Sequence, residues 1–112
     1  MAKPARRIYS RQNLEALELL AQMIRVGRIE RKMSAQEMAD RAGISRPLLR
    51  RIEGADPGCA IGSVFEVAAI AGVSLFTGEP DRLQTQRSVM AEKLSLLPKR
   101  ARKPKRVIRD DF

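Results

Sequence analysis

The sequence predicts an all-α protein, a compact bundle of about five helices with flexible basic tails at both ends. Apolar residues recur at helical spacing in successive segments, and residues that begin and end helices stand at the borders of those segments. A length of 112 residues fits one domain of ordinary size. We therefore expect a basic N-terminal arm over residues 1–10, a helical domain over residues 11–97 and a basic tail over residues 98–112.

The first helix is expected from about Asn13 to Lys32, where apolar residues lie on one face with charged residues between them. Gly27 lies inside this helix, where glycine costs roughly 1 kcal/mol relative to alanine. It is tolerable there if another backbone packs closely against it. The apolar face consists of Leu14, Leu17, Leu20, Ala21 and Ile24.

A second helix is expected to begin at Ser34. This serine is a suitable N-cap, and Glu37 three residues later completes a capping box. Met33 and Met38 have the spacing of a hydrophobic staple. The helix is expected to end at Gly43, because glycine readily adopts the left-handed conformation that terminates helices.

A third helix repeats these signals. Ser45 is its N-cap, and Pro47 lies in the first turn, where a missing N–H costs little. Ile44 and Leu49 have the spacing of a second staple. This helix is expected to run to about Glu53.

The remaining elements follow a loop over residues 54–58. Residues 61–71 are apolar on most faces, which predicts a short helix buried in the middle of the bundle. For residues 73–76 the sequence leaves two alternatives, a short strand or a turn. A last helix is expected from Asp81 to Leu97, ended by Pro98. Its apolar stripe, which either contacts a second subunit or partner or packs back onto the bundle, consists of Leu83, Met90, Leu94 and Leu97.

The charge of the chain is strongly positive. Lysine and arginine total 22 against 13 acidic residues, which gives a net charge of +9. The excess lies in residues 1–33 and 81–112, whereas residues 34–80 carry slightly more acids than bases. A polyanion such as nucleic acid is therefore the first partner to consider.

The composition also argues against several classes of protein. The chain has no histidine, the commonest general base and metal ligand, and no phosphate loop or paired-carboxylate motif. We therefore expect no enzyme, no cofactor and no bound metal. Cys59 is the only cysteine, which favours a reducing compartment; it is either a reactive thiol or a spectator. No apolar run approaches the roughly 18 residues that span a bilayer, so we expect a cytoplasmic, nucleoid-associated protein without a membrane partner.

Residues 34–52 have the pattern of a helix-turn-helix, two short helices that cross at a tight turn. Small or apolar residues occupy the positions at which the helices would meet, and Gly43 stands at the corner. In this motif the second helix enters the major groove of DNA by its N-terminal end. The inward positions are Met38, Ala39, Ala42, Ile44, Leu49 and Ile52.

The exposed face of the third helix follows from this geometry. If Leu49 and Ile52 point inward, the outward residues are Arg46, Pro47, Arg50 and Arg51. An arginine donates two hydrogen bonds to guanine O6 and N7, so this face favours base recognition; the alternative is a merely solubilising surface. Ser34 and Ser45 are expected to hold DNA phosphates together with the backbone N–H groups beside them.

At these residues the chain resembles the Cro/C1-type (XRE) helix-turn-helix family, over about residues 17–74. The resemblance implies sequence-specific binding of a homodimer to a palindromic operator in double-stranded DNA. It also implies an ion pair between Arg28 and Glu53 that ties the first helix to the third. Family members place a phosphate-binding glutamine where this chain has Ala35; Gln36 stands one position later and is the candidate for this DNA contact. The supporting residues are Ile24, Arg28, Met38, Ala39, the run 43–45 and the run 52–54.

The flanking segments resemble those of HipB-like antitoxins. The similar segments are RRIYSR, GADPGCAIGSVFEVAAIAGVSLF and LLPKRARKPKR with a terminal DDF. This resemblance implies a homodimer that represses its own operon and binds a HipA-like kinase toxin. The alternatives are a stand-alone phage-type or metabolic repressor of the same family and a non-specific basic nucleic-acid-binding protein.

The tail contains KRARKPKR, with six basic residues among eight. It either contacts the DNA backbone, faces an acidic partner or only keeps the protein soluble. If all six charges met phosphate, the slope of log K against log salt would steepen by about 5. Phe112 follows two aspartates and is either an aromatic anchor for docking a toxin or a frayed terminus.

Overall fold

The computed structural model describes residues 8–76 and 79–101 of the chain. The all-α prediction is confirmed for this part, which contains five α-helices and no strand. The chain divides into two units, Met1–Thr77 and Gly78–Phe112, so the domain expected over residues 11–97 spans parts of both. The helices are α1 (Arg11–Glu30), α2 (Ala35–Ala42), α3 (Arg46–Glu53), α4 (Ile61–Ile70) and α5 (Leu83–Leu96).

Helix α1 begins earlier than its apolar pattern suggested because Ser10 caps it. The Ser10 hydroxyl oxygen accepts a hydrogen bond from the Asn13 N–H at 3.2 Å. Burial is confined to the second half of the helix, from Ala21 to Gly27, and Leu14 is 41% exposed. With 20 residues, α1 is about 30 Å long, whereas α2 and α3 have 8 residues each. These short helices cover only part of α1, so Leu14 at the start of its apolar face remains exposed.

The core of the first unit is built from all four of its helices. Each contributes one large side chain that is no more than 1% exposed, and burial of such a side chain contributes about 1.5–3 kcal/mol. This core holds α2 and α3 against α1 and α4 and thereby fixes the orientation of α3. The four side chains are Ile24, Met38, Leu49 and Val67.

Helix α4 is less buried than its composition indicated. Val67 and Ala68 are its buried residues, whereas Ile61 at its start is 71% exposed. The side chain of Phe65 stacks on Phe76, with ring centroids 6.2 Å apart, and the two residues are 39% and 56% exposed. The prediction of a helix buried in the middle of the bundle is therefore wrong, because α4 packs by one face only.

After α4, Ala71 is the last buried residue of the core and Val73 packs against it, and no described residue beyond them is buried. Residues 73–76 form irregular backbone rather than a strand. In the described part of the second unit, a 3-10 turn over Pro80–Arg82 leads into α5, and the residue after that helix, Leu97, is extended. None of the described residues of α5 is buried.

Candidate functional site

The α2–α3 pair is held by local hydrogen bonds at each end of its turn. The Ser34 hydroxyl oxygen accepts from the Glu37 N–H at 3.0 Å, and the Ser45 hydroxyl oxygen accepts from the Leu48 N–H at 3.2 Å. Between the helices Gly43 is left-handed, with φ 67° and ψ 33°. A side chain at this position would be strained, so glycine permits the sharp corner that sets the start of α3.

Helix α3 turns its apolar side inward and its arginines outward. Leu49 and Ile52 are buried in the core. The four residues expected on the outward face are all solvent-exposed, but they do not share one environment. The exposed residues are Arg46, Pro47, Arg50 and Arg51.

Two of these arginines line a pocket of about 350 Å³ between α1 and α3. Arg46 and Arg50 belong to α3, and Arg25 joins them from α1. Among the described residues, none of these three arginines forms an ion pair with an acidic side chain. Three guanidinium groups around one open pocket attract anions such as phosphate.

Arg25 was missed by the sequence analysis. It is three residues before Arg28 and therefore lies on the same side of α1 as the arginine that reaches α3. That spacing could have identified Arg25, because a residue one helical turn from Arg28 lies on the same side of α1 and also faces α3.

The pocket wall contains the ion pair that the family resemblance implied. Arg28 Nε and Nη2 donate to the two carboxylate oxygens of Glu53 at 2.8 and 3.1 Å. Arg28 Nη1 donates to the Met33 carbonyl oxygen at 2.9 Å, and both charged side chains are only 12% exposed. The hydrogen bond from Glu53 raises the pKa of Arg28. The pair joins α1 to the end of α3 and fixes the pocket's shape.

Arg51 lies in a different environment from Arg46 and Arg50. Its Nε donates to Asp56 Oδ2 at 2.7 Å, and Asp56 Oδ1 accepts from the Gly58 N–H at 2.8 Å. The Arg51 guanidinium and this N–H hold the pKa of Asp56 below its usual value. The outward face thus consists of a pair of arginines beside the pocket and a third arginine held by the loop after α3.

The expected phosphate-holding residues also lie on the surface. Ser34, Gln36 and Ser45 are exposed. Both serine hydroxyl oxygens accept the capping hydrogen bonds, and a hydroxyl that accepts one bond can still donate another. Gln36 Nε2 donates to Asp40 Oδ1 at 2.9 Å, so its amide is engaged within α2.

Cys59 is half-buried in the loop that holds Arg51. Burial raises the pKa of its thiol more than the positive charge of Arg51 lowers it. The thiol is therefore less reactive than a free thiol at neutral pH. Among the described residues there is no cluster of three acidic or cysteine side chains that could hold a metal ion.

The remaining predicted contact residues belong to the second unit. The stripe of α5 is solvent-exposed, and its last member follows the end of the helix. Phe112 and the tail from residue 102 onward lie outside the described residues. The stripe residues Leu83, Met90, Leu94 and Leu97 are 43%, 58%, 69% and 51% exposed.

Comparisons of the chain with protein-family models, with curated proteins and with solved structures found no match. In the described part of the chain, no helix is both long enough and apolar enough to cross a bilayer.

Proposed function

We propose that this protein is a sequence-specific DNA-binding repressor in which α3 enters the major groove. The observation that carries this proposal is the exposure of Arg46 and Arg50 beside the pocket, without an acidic partner among the described residues. A guanidinium that has no acidic partner is available to guanine edges or to phosphate oxygens.

The surrounding fold supports this use of α3. The Gly43 corner and the capped starts of both short helices hold the N-terminal end of α3 at the surface. The Arg28–Glu53 ion pair fixes the other end against α1. A rod anchored at both ends loses little conformational freedom when it binds a rigid duplex.

The arginines around the pocket are proposed to make two kinds of DNA contact, one to bases and one to the backbone. Arg46 lies in the first turn of α3, the part that reaches base edges when a helix enters the groove end first. Arg25 lies on α1 and lines the same pocket, and we assign it to the sugar–phosphate backbone. The first contact discriminates between sequences, whereas the second contributes affinity for any sequence.

A homodimer is part of this proposal. One module of this size makes few base contacts, and two modules placed one helical turn apart read a palindromic site. The exposed stripe of α5 is the surface that we assign to a second subunit or to another protein partner.

The antitoxin role is proposed from the sequence resemblance of the flanks. In this role the same dimer represses its operon and binds a HipA-like kinase. Affinity purification of the tagged protein from its native cells tests it: a kinase of that kind should co-purify. A partner-free repressor would favour the stand-alone alternative.

The DNA-binding proposal is tested by selecting a preferred duplex from a random pool and measuring the affinities of variants. We expect Arg46→Ala and Arg50→Ala to weaken binding to the selected duplex about tenfold or more, and binding to random duplexes of equal length by less. The control is Arg31→Ala, which removes an exposed arginine that lies beside Gly72 and does not line the pocket.

The alternatives predict other outcomes. A non-specific basic binder would select no preferred duplex, and its affinity would follow charge alone. Equal losses on selected and random duplexes would likewise remove the base-reading role of α3.

A further inference from the structure

Asp56 is attached to Arg51 by both its backbone and its side chain. The Asp56 N–H donates to the Arg51 carbonyl oxygen at 3.0 Å, and the Asp56 carboxylate accepts from Arg51 Nε at 2.7 Å. Ala55 between α3 and Asp56 is left-handed, with φ 62°, a conformation that costs energy for a residue with a side chain. The chain thus turns back tightly after α3 and brings the carboxylate beside the arginine.

The carboxylate is itself held in place. Its second oxygen accepts the Gly58 N–H at 2.8 Å, so both carboxylate oxygens have fixed donors. Arg51 is joined to the carboxylate through Nε, and its side chain is 52% exposed. Among the described residues, the hydrogen bond and ion pair of Arg51 are made by Nε alone, and its two terminal nitrogens, Nη1 and Nη2, form neither.

This arrangement leaves the donors that recognise guanine available while restricting the side chain that carries them. A guanidinium recognises guanine with two parallel N–H donors. When Nε is bound to Asp56, the terminal nitrogens Nη1 and Nη2 remain as these donors. A long side chain that is ordered before binding loses less entropy on binding. The negative charge of Asp56 also repels phosphate and thereby weakens binding of Arg51 to DNA of any sequence.

We propose that Asp56 is a positioning residue that orients Arg51 for recognition of a guanine base and lowers its affinity for the phosphate backbone. This inference rests on the proposed function, because it assigns a role to one arginine of the same α3 face. The face then has two kinds of arginine: Arg46 and Arg50 have no acidic partner in the part of the chain that the structure describes, and Arg51 is held by a carboxylate.

The test uses the full chain, a selected duplex and random duplexes at one salt concentration. We expect Asp56→Asn to reduce the ratio of selected to random affinity by about tenfold, with random affinity unchanged or higher. The matched control is Glu66→Gln, which removes an exposed negative charge from α4 of the same unit and should leave the ratio unchanged.

A double-mutant cycle separates positioning from a structural role of the loop. In an Arg51→Ala background, Asp56→Asn should have no further effect on the ratio, because its target is gone. A purely structural aspartate would lower the ratio equally in both backgrounds, and that outcome overturns the proposal.

The failure of this inference differs from the failure of the proposed function. A wild-type protein that selects no duplex defeats both. A wild-type protein with a clear preference that Asp56→Asn leaves intact defeats the positioning role alone, as does a preference that survives Arg51→Ala.

Discussion

Gly27 of α1 lies directly against the backbone of Ala71, the residue that ends α4. A Cβ at Gly27 would collide with the Ala71 carbonyl oxygen and would lie 3.1 Å from the Ala71 Cβ. Since a carbonyl oxygen at a helix end moves only with its backbone, this close approach requires glycine. The contact fixes the distance between α1 and α4 and thereby the frame that carries α3.

Replacing Gly27 therefore should destabilise the protein. Gly27→Ala would normally stabilise a helix by about 1 kcal/mol, but here we expect a net loss of about 1–3 kcal/mol because the two helices must separate. Chemical denaturation gives the difference. The control is Gly62→Ala in α4, where a Cβ has no neighbour within 4 Å and a small gain is expected. Equal effects of the two changes would contradict the close contact.

The Arg28–Glu53 pair should contribute more than any exposed pair of this unit. Arg28→Ala leaves the Glu53 carboxylate nearly buried without its partner, and we expect a loss of about 3 kcal/mol in the free energy of unfolding. In Arg11→Ala, the exposed pair with Glu15 is removed, and a loss of about 0.3–0.5 kcal/mol is expected. Thermal and urea unfolding of both variants decide the comparison. A loss below about 1 kcal/mol for Arg28→Ala would show that solvent screens the pair.

Arg25 should affect affinity without affecting sequence preference. If it meets one phosphate, Arg25→Ala reduces the slope of log K against log salt by about 0.9 and weakens selected and random duplexes by the same factor. Titrations at several salt concentrations measure both quantities. A changed preferred sequence would instead place Arg25 at a base.

The Asp56 carboxylate should titrate below its ordinary value. Because its pKa is lowered in the folded protein, its pairing with Arg51 is complete above the unfolded value of about 3.9 and is lost as the pH falls through the folded pKa. NMR titration of the carboxyl carbon measures this directly. Arg51→Ala should raise the pKa part of the way, since the Gly58 N–H remains. An unchanged pKa in that variant would mean that Arg51 does not hold the carboxylate in solution.

Deletion of residues 99–112 tests the basic tail. If its charges meet the DNA backbone, the truncated protein should show a salt slope lower by up to about 5 and an unchanged preferred sequence. Selection from a random pool with the truncated chain checks the preference. A new preferred sequence would contradict a backbone role for this segment.

The elements that the sequence alone determined are those that depend on neighbours within a few residues. Serine caps, the staple positions and the left-handed glycine act over one helical turn, so the α2–α3 corner followed from the residues 33–49. The outward orientation of the α3 arginines followed from helical geometry once Leu49 and Ile52 were taken as inward. The Arg28–Glu53 pair came from family resemblance rather than from spacing.

Tertiary structure decided the features that depend on how separate helices approach one another. Helical periodicity indicates an apolar side but not how far a neighbour covers it, so it did not reveal that Leu14 is exposed, and the outer side of α4 was assigned too much burial. Arg25 joins the pocket because α1 crosses α3, and Asp56 meets Arg51 because the loop turns back at Ala55. A charge has a partner only when the fold brings one within a few ångströms. For that reason three similar arginines on one helix face have two different environments.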